Sequence, residues 1–155
     1  MAAVLGPATL FGSKIISTIS ETNKASAHRT STSSVRLGCA SCHIPEGLVA
    51  ATYAHAVNGA SVLWGEFNLN YEDPEVWNAE KPRFAYAVRD WLRDTDSATC
   101  RACDEEQAIA PVRKRGQRQH KTARETGMTC IDCHYNLVHD KIDPRETFLD
   151  AAEAR

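Results

Sequence analysis

Aromatic residues make up only 7% of this 155-residue chain, with four Phe, four Tyr and three Trp. So few large rings leave little material for a sizeable conventional core. No segment alternates polar and apolar residues over strand length, which excludes an extensive sheet. The apolar stretch from Met1 to Phe11 is interrupted at Gly6-Pro7, and Lys14 ends it before the roughly 18 residues that a membrane-crossing helix needs. No positive segment precedes it, as one would in a signal peptide. A formal net charge of −2 gives no electrostatic ground for a nucleic-acid partner. No cysteine stands alone either, because all six lie in three C-x-x-C pairs.

Those pairs are the most informative feature of the chain. Cys39-Ala40-Ser41-Cys42-His43 and Cys130-Ile131-Asp132-Cys133-His134 both read C-x-x-C-H, and Cys100-Arg101-Ala102-Cys103-Asp104 keeps the thiols but loses the imidazole. C-x-x-C-H is the attachment signature of c-type haem: two thiols bond the vinyl groups, and the adjacent imidazole swings under the iron. With six His in the chain, chance would place one after both flanking pairs only about once in several hundred such chains. The competing reading is a Cys₄ zinc site built from Cys39, Cys42, Cys130 and Cys133. Haem would leave the protein red after denaturation, whereas zinc would leave it colourless.

Once His43 and His134 take proximal roles, His28, His55, His120 and His139 remain. An electron-transfer haem uses a second strong axial ligand, so two haems need two of these four. His139 is too close in sequence to His134 to cross to the other face of the same haem, which points it toward a neighbouring one.

The spacing predicts short helices. Gly47 to Asn58 carries Leu48, Thr52 and His55 on one stripe, facing a haem or a packed core, with Gly59 as a C-terminal stop. Asp73-Pro74 opens a helical turn with Trp77, and Pro82 begins a better helix whose Phe84, Val88, Trp91 and Leu92 lie on a porphyrin. A further helical stretch, broken by Pro111, runs to Gly127 and contains His120. Asp143-Pro144-Arg145-Glu146 starts a terminal helix through Phe148 and Leu149. Residues 20 to 34, rich in Ser and Thr, read as an extended connector. The expected fold is mainly α, short helices and loops packed around covalently bound haems with little or no sheet. Arg113, Lys114, Arg115, Arg118, Lys121 and Arg124 form a cationic stretch, either a solvated face or a docking patch.

The order Ser34-Val35-Arg36, Cys39-x-x-Cys-His-Ile-Pro, Val62-Leu63-Trp64-Gly65, Ala98-Thr99-Cys100-Arg101-x-Cys and Gly127-Met128-Thr129-Cys130-Ile131-Asp132-Cys133-His134, followed by His139, resembles the NapC/NirT family of membrane-anchored multihaem c-type cytochromes. The resemblance covers about residues 9 to 140. It implies an N-terminal membrane helix, haem c, electrons taken from membrane quinol, and delivery to periplasmic reductases in anaerobic respiration. Carried over by residue, Cys39, Cys42 and His43 look like the family's second haem site, Cys100 and Cys103 like its third, and Cys130, Cys133 and His134 like its fourth. His28, His120 and His139 resemble its distal ligands.

Two departures stand out. No C-x-x-C-H lies between the apolar N-terminus and His28, and Glu46 stands where many members place another His. In the family that first haem lies nearest the membrane, so its loss argues against direct quinol oxidation by this chain. The other departure is Asp104, since a carboxylate is a poor substitute for imidazole on low-spin iron.

The expectation is therefore a partial or remnant membrane anchor over residues 1–19 and a multihaem cytochrome c domain over 20–155, on the periplasmic side of the bacterial inner membrane. It would hold two haems c, with a third site at Cys100/Cys103. It would relay electrons from a quinol-side donor to a periplasmic reductase, as a carrier rather than a catalyst of its own reaction. The alternatives are a haem enzyme or small-ligand binder at Asp104, and a zinc-binding structural module.

Overall fold

The computed structural model describes residues 14–26, 28 and 37–154. Among them every regular element is helical: α1 (Lys14–Ala25), α2 (Cys39–His43), α3 (Leu48–Asn68), α4 (Pro74–Asp94), α5 (Ala98–Arg101), a 3₁₀ turn (Glu106–Ala108), α6 (Lys114–Thr126), α7 (Cys130–Cys133) and α8 (Glu146–Glu153). The expected α class holds. The chain divides into two compact units, one built from the described residues up to Phe84 with Asn136–Lys141, the other from Ala85–Tyr135 with the described residues from Ile142 onward.

In the first unit, α1 takes in residues 20–25 of the segment that reads as an extended connector, and it runs through residue 19 without a break. Ser and Thr are poor but permissible helix formers when their hydroxyls bond back to the preceding turn. Thr22 Oγ1 does so on the Ile19 carbonyl at 2.9 Å, and Ser26 Oγ on the Asn23 carbonyl at 2.7 Å. The rest of that connector, and the apolar stretch before Lys14, lie outside the described residues.

Gly47, at φ +92°, turns the chain into α3, which does not stop at Gly59 but continues to Asn68. A glycine inside a helix costs only about 1 kcal/mol, and Ala60, Leu63 and Glu66 are good helix formers beyond it. Gly65 has a stricter role, because a Cβ there would stand 2.5 Å from the Tyr71 hydroxyl oxygen. Tyr71, 5% exposed, folds back over that glycine and packs edge-on to Trp77 at 6.4 Å and Phe84 at 6.0 Å. Tyr71 is the buried ring of this cluster, with Trp77 and Phe84 half-buried around it.

Pro82 does not begin a helix, because Pro74 to Asp94 is continuous and Pro82 lies inside it. The start is at Asp73-Pro74, where the Asp73 carboxylate accepts the Glu75 N–H at 2.8 Å and the Asp73 carbonyl accepts that of Trp77 at 2.9 Å. With the end so capped, the missing Pro82 N–H is tolerated at a cost of about 3 kcal/mol.

In the second unit, the face that reads as lying on a porphyrin meets protein. Leu92 clusters with Ile131 and Phe148, and Val88, Trp91, Cys100 and Tyr135 pack against them. Phe84 parts from that set and joins the aromatic cluster of the first unit. After α4, Asp96 and Ser97 both adopt left-handed backbone (φ 52° and 51°), a sharp reversal that tucks Ser97 fully out of solvent. Its hydroxyl accepts the Ile131 N–H at 3.2 Å, which ties the start of α5 to α7. Gly127, at φ +69°, ends α6 as expected.

The terminal helix begins two residues later than Asp143-Pro144 suggests, with Arg145 at its cap. The preceding carbonyls are engaged elsewhere: Ile142 accepts from Arg89 at 2.8 Å and Asp143 from the Tyr86 hydroxyl at 3.3 Å, which holds the segment extended.

Candidate functional site

The outer C-x-x-C pairs lie within α2 and α7, and the middle pair starts in α5 with Cys103 in the turn past its end. At helical pitch two thiols three residues apart share a face. In α7 the turn is fixed by a capping box: Thr129 N donates to Asp132 Oδ2 at 2.7 Å and Thr129 Oγ1 lies 3.0 Å from the same oxygen. The His134 N–H then bonds the Cys130 carbonyl at 3.0 Å. The middle pair reproduces this backbone, with the Asp104 N–H on the Cys100 carbonyl at 2.9 Å. Asp104 therefore occupies the backbone place of the missing imidazole, with its side chain exposed.

Two histidine pairs form. In the first unit the His43 and His139 rings stand 6.1 Å apart, tilted 35°. In the second the His120 and His134 rings stand 6.0 Å apart, tilted 43°. Two imidazoles bound to opposite sides of one metal, each with its nitrogen about 2 Å away, would put their ring centres about 6 Å apart. Packed aromatic rings elsewhere in the chain show similar spacing, so distance alone does not single out a metal. Each pair joins the histidine of one C-x-x-C-H to a histidine outside any motif. His139 meets His43 and not His134, in line with its closeness to the latter in sequence.

The environment of the first pair suits a neutral ligand. Burial lowers His43 from its ordinary 6.5, with the neighbouring His139 as the second cause. Loss of hydration lowers His139 as well, against the opposing pull of Asp140. A metal-binding imidazole must be unprotonated at the ligating nitrogen, so both shifts favour ligation.

Thr22 is the polar neighbour of this pair. Its hydroxyl lies 2.9 Å from the Ile19 carbonyl and 3.1 Å from His139 Nδ1. With its proton on the carbonyl it accepts from Nδ1–H. That tautomer leaves Nε2 with a free lone pair, the arrangement that outer partners impose on metal-bound histidines. Nothing in the sequence pattern singled out Thr22, whose nearest signal is a hydroxyl in a polar run.

His28 belongs to the first unit, and its Nδ1 is buried without a hydrogen-bond partner among the described residues. Leaving a buried polar atom unpaired is costly, which suits a residue whose partner is a cofactor. His55 is exposed on α3. None of Leu48, Thr52 and His55 is buried, and α3 presents Leu48, Trp64 and Phe67 at 84%, 73% and 79% exposure.

In the second unit the first cysteines of two motifs meet. A hydrogen bond from Cys100 lowers Cys130 from its ordinary 9.0 to about 7, helped by the Arg101 cation and opposed by burial, Glu106 and Asp104. Cys133 is pushed upward, by lost hydration first and then by Asp132 and Cys130. Among the described residues, no group of three or more His, Cys, Asp or Glu side chains is gathered as a metal site, so the Cys₄ zinc reading gains no support. No helix among them is long and apolar enough to cross a membrane.

A family model described as the NapC/NirT cytochrome c family, N-terminal region, matches residues 14–144. The chain belongs to this family. A probable tetraheme cytochrome c-type protein of Nitrosomonas europaea is 39% identical over 124 residues, covering 78% of this chain and 52% of the relative. The denitrification system component NirT of Stutzerimonas stutzeri is 30% identical over 120 residues, 75% of this chain and 58% of the relative. The cytochrome c-type protein NapC of Escherichia coli is 28% identical over 125 residues, covering 78% and 61%. The chain thus spans about half to three-fifths of these relatives' lengths. No solved structure matches it.

Proposed function

We propose that this chain is an electron-transfer multihaem c-type cytochrome. It would relay electrons from a quinol-side donor to a periplasmic terminal reductase in anaerobic respiration, in association with the bacterial inner membrane. The observation that carries the reading is the pairing of His43 with His139 and of His120 with His134, each pair holding one C-x-x-C-H histidine. Family membership and relatives named for tetraheme, NirT and NapC cytochromes support it.

Bound through thioethers, haem c supplies a one-electron iron couple whose potential follows its axial ligands. Cys39 and Cys42 would hold one such group with His43 and His139 as its imidazoles, and Cys130 and Cys133 a second with His134 and His120. Two imidazoles committed to each iron would favour a carrier over a catalyst. Lost hydration lowers both His43 and His139, which favours the unprotonated imidazoles that ligation needs, and the Thr22 hydroxyl stands beside His139 Nδ1 as an outer partner. Cys100 and Cys103 would supply the thiols of a third site with Asp104 in the sequence place of its histidine, and a hydrogen bond joins Cys100 to Cys130 of the last motif.

The test is the intact mass and redox spectrum of the chain expressed with a haem-attachment system. Two covalent haems with a reversible low-spin couple are expected. A colourless protein, or one whose haems are all high-spin and bind added ligands, would overturn the proposal.

A further inference from the structure

The cationic stretch has two distinct faces. Lys114, Arg115, Arg118, Lys121 and Arg124 lie on α6, Arg113 caps it, and all six are exposed. The helix holds a single acid, Glu125, which lies 3.7 Å from Lys121. Among the described residues the other five cations take part in no ion pair, whereas Lys24, Arg83, Arg93, Arg101 and Arg145 each have an acidic partner. Lys114, Arg118 and Lys121 follow one another at i, i+4 and i+7, so like charges are stacked on one face, an arrangement that weakens a helix. The inward stripe is different. Gly116, His120 and Ala123 are half-buried, and Gly116 admits Pro111, whose Cβ would stand 2.8 Å from a Cβ at that position. From this stripe His120 reaches His134.

We propose that the outer face of α6 is the docking surface on which an acidic protein redox partner exchanges electrons with the site formed by Cys130, Cys133, His134 and His120. The proposal rests on the electron-carrier reading above. A partner seated on these cations lies about one helix diameter, on the order of 10 Å, from the His120 ring. A cationic face with one acid against its six cations steers an acidic partner and speeds encounter. An anionic bilayer is a poorer occupant, because a helix that lies in a membrane surface needs a large apolar face. On α6 no apolar side chain is larger than alanine.

The experiment uses the haem-loaded full chain and flavodoxin hydroquinone, an acidic one-electron protein, as the probe in stopped-flow haem reduction. The rate should fall at least about tenfold as salt shortens the screening length from about 30 Å to about 3 Å. The triple variant Lys114→Glu, Arg118→Glu, Lys121→Glu should lose about tenfold at low salt and show a flattened salt dependence, while a neutral flavin radical reduces it as fast as the parent. The milder Gln triple variant should fall between the two. A flavodoxin rate indifferent to salt, or unchanged in the Glu variant with its haem spectrum intact, would overturn the docking surface. So would a Glu variant that loses only its binding to phosphatidylglycerol vesicles. A parent chain without covalent haem by mass would instead overturn the electron-carrier reading itself.

Discussion

Arg93 Nε bonds Asp132 Oδ1 at 2.7 Å, from a guanidinium lying 3.5 Å over the Phe148 ring centre. Arg93 also gives Nη2 to the Phe148 carbonyl at 2.7 Å, and Asp132 keeps its other oxygen for the Thr129 cap. Asp132 is the third residue of the last C-x-x-C-H, so one salt bridge joins the motif, α4 and α8. The pair is nearly sealed, with side chains 10% and 0% exposed.

Removing one partner of such a pair leaves an uncompensated buried charge, at about 3–5 kcal/mol. Asp132→Ala should therefore lower stability by about that amount and reduce haem loading at Cys130 and Cys133, as urea unfolding and intact mass would show. Replacing both partners, Arg93→Met with Asp132→Leu, should recover part of the loss. If Asp132→Ala unfolds at the parent's urea midpoint, the bridge does not hold the motif.

The motifs were legible because thioether attachment demands a fixed local spacing that survives in sequence. The pairing of histidines was not, since His43 and His139 meet only through tertiary folding. Asp132 carried a local signal, Thr129 three residues before it, but its Arg93 partner is fixed by packing alone. Gly59 and Pro82 misled for a common reason. Each is a local helix breaker whose cost a long, otherwise favourable helix can absorb, and no residue pattern states that balance. Periodicity marked Val88, Trp91 and Leu92 as one apolar face, but it cannot tell a porphyrin from Ile131 and Phe148, against which that face packs.

His139→Met and His120→Met should act on different haems. Exchanging imidazole for a thioether raises an iron potential, here by on the order of 0.1 V for one haem in each variant. Potentiometric titration should show one wave moving in each single variant and both in the double variant. The same wave moving in both single variants would refute the pairing of His139 with His43.

Before haem attachment, Cys130 should react as a thiolate near neutrality. Its folded value of about 7 lies below its ordinary 9.0, chiefly because Cys100 bonds the thiolate. The sign follows: the folded chain binds fewer protons than the unfolded chain between about pH 7 and 9, so stability rises with pH across that window and the gain is lost as pH falls back through 7. Iodoacetamide labelling of the haem-free chain, read by peptide mass, should half-titrate near pH 7 at Cys130 and above 9 at Cys133. Cys100→Ala should return Cys130 toward its ordinary value. Labelling of Cys130 that begins only near pH 9 in the parent would show that the Cys100 contact is not made.

Thr22→Val keeps the shape of the side chain and removes the acceptor at His139 Nδ1, 3.1 Å away. An imidazole that donates to an oxygen is a more basic ligand and stabilises ferric iron, so with His139 as the proposed ligand, losing the acceptor should raise the potential of its haem. A neutral hydrogen bond contributes about 1 kcal/mol, which for a one-electron couple bounds the shift at about 40 mV. The low-spin spectrum should persist, because His139 itself remains. Thr22→Ser, which restores the hydroxyl, should bring the potential back, whereas a purely structural role for Thr22 would shift stability and leave the potential where it was. The wave that moves must be the one that His139→Met moves and must not be the one that His120→Met moves. That coincidence makes the test specific to the bond between Thr22 and His139.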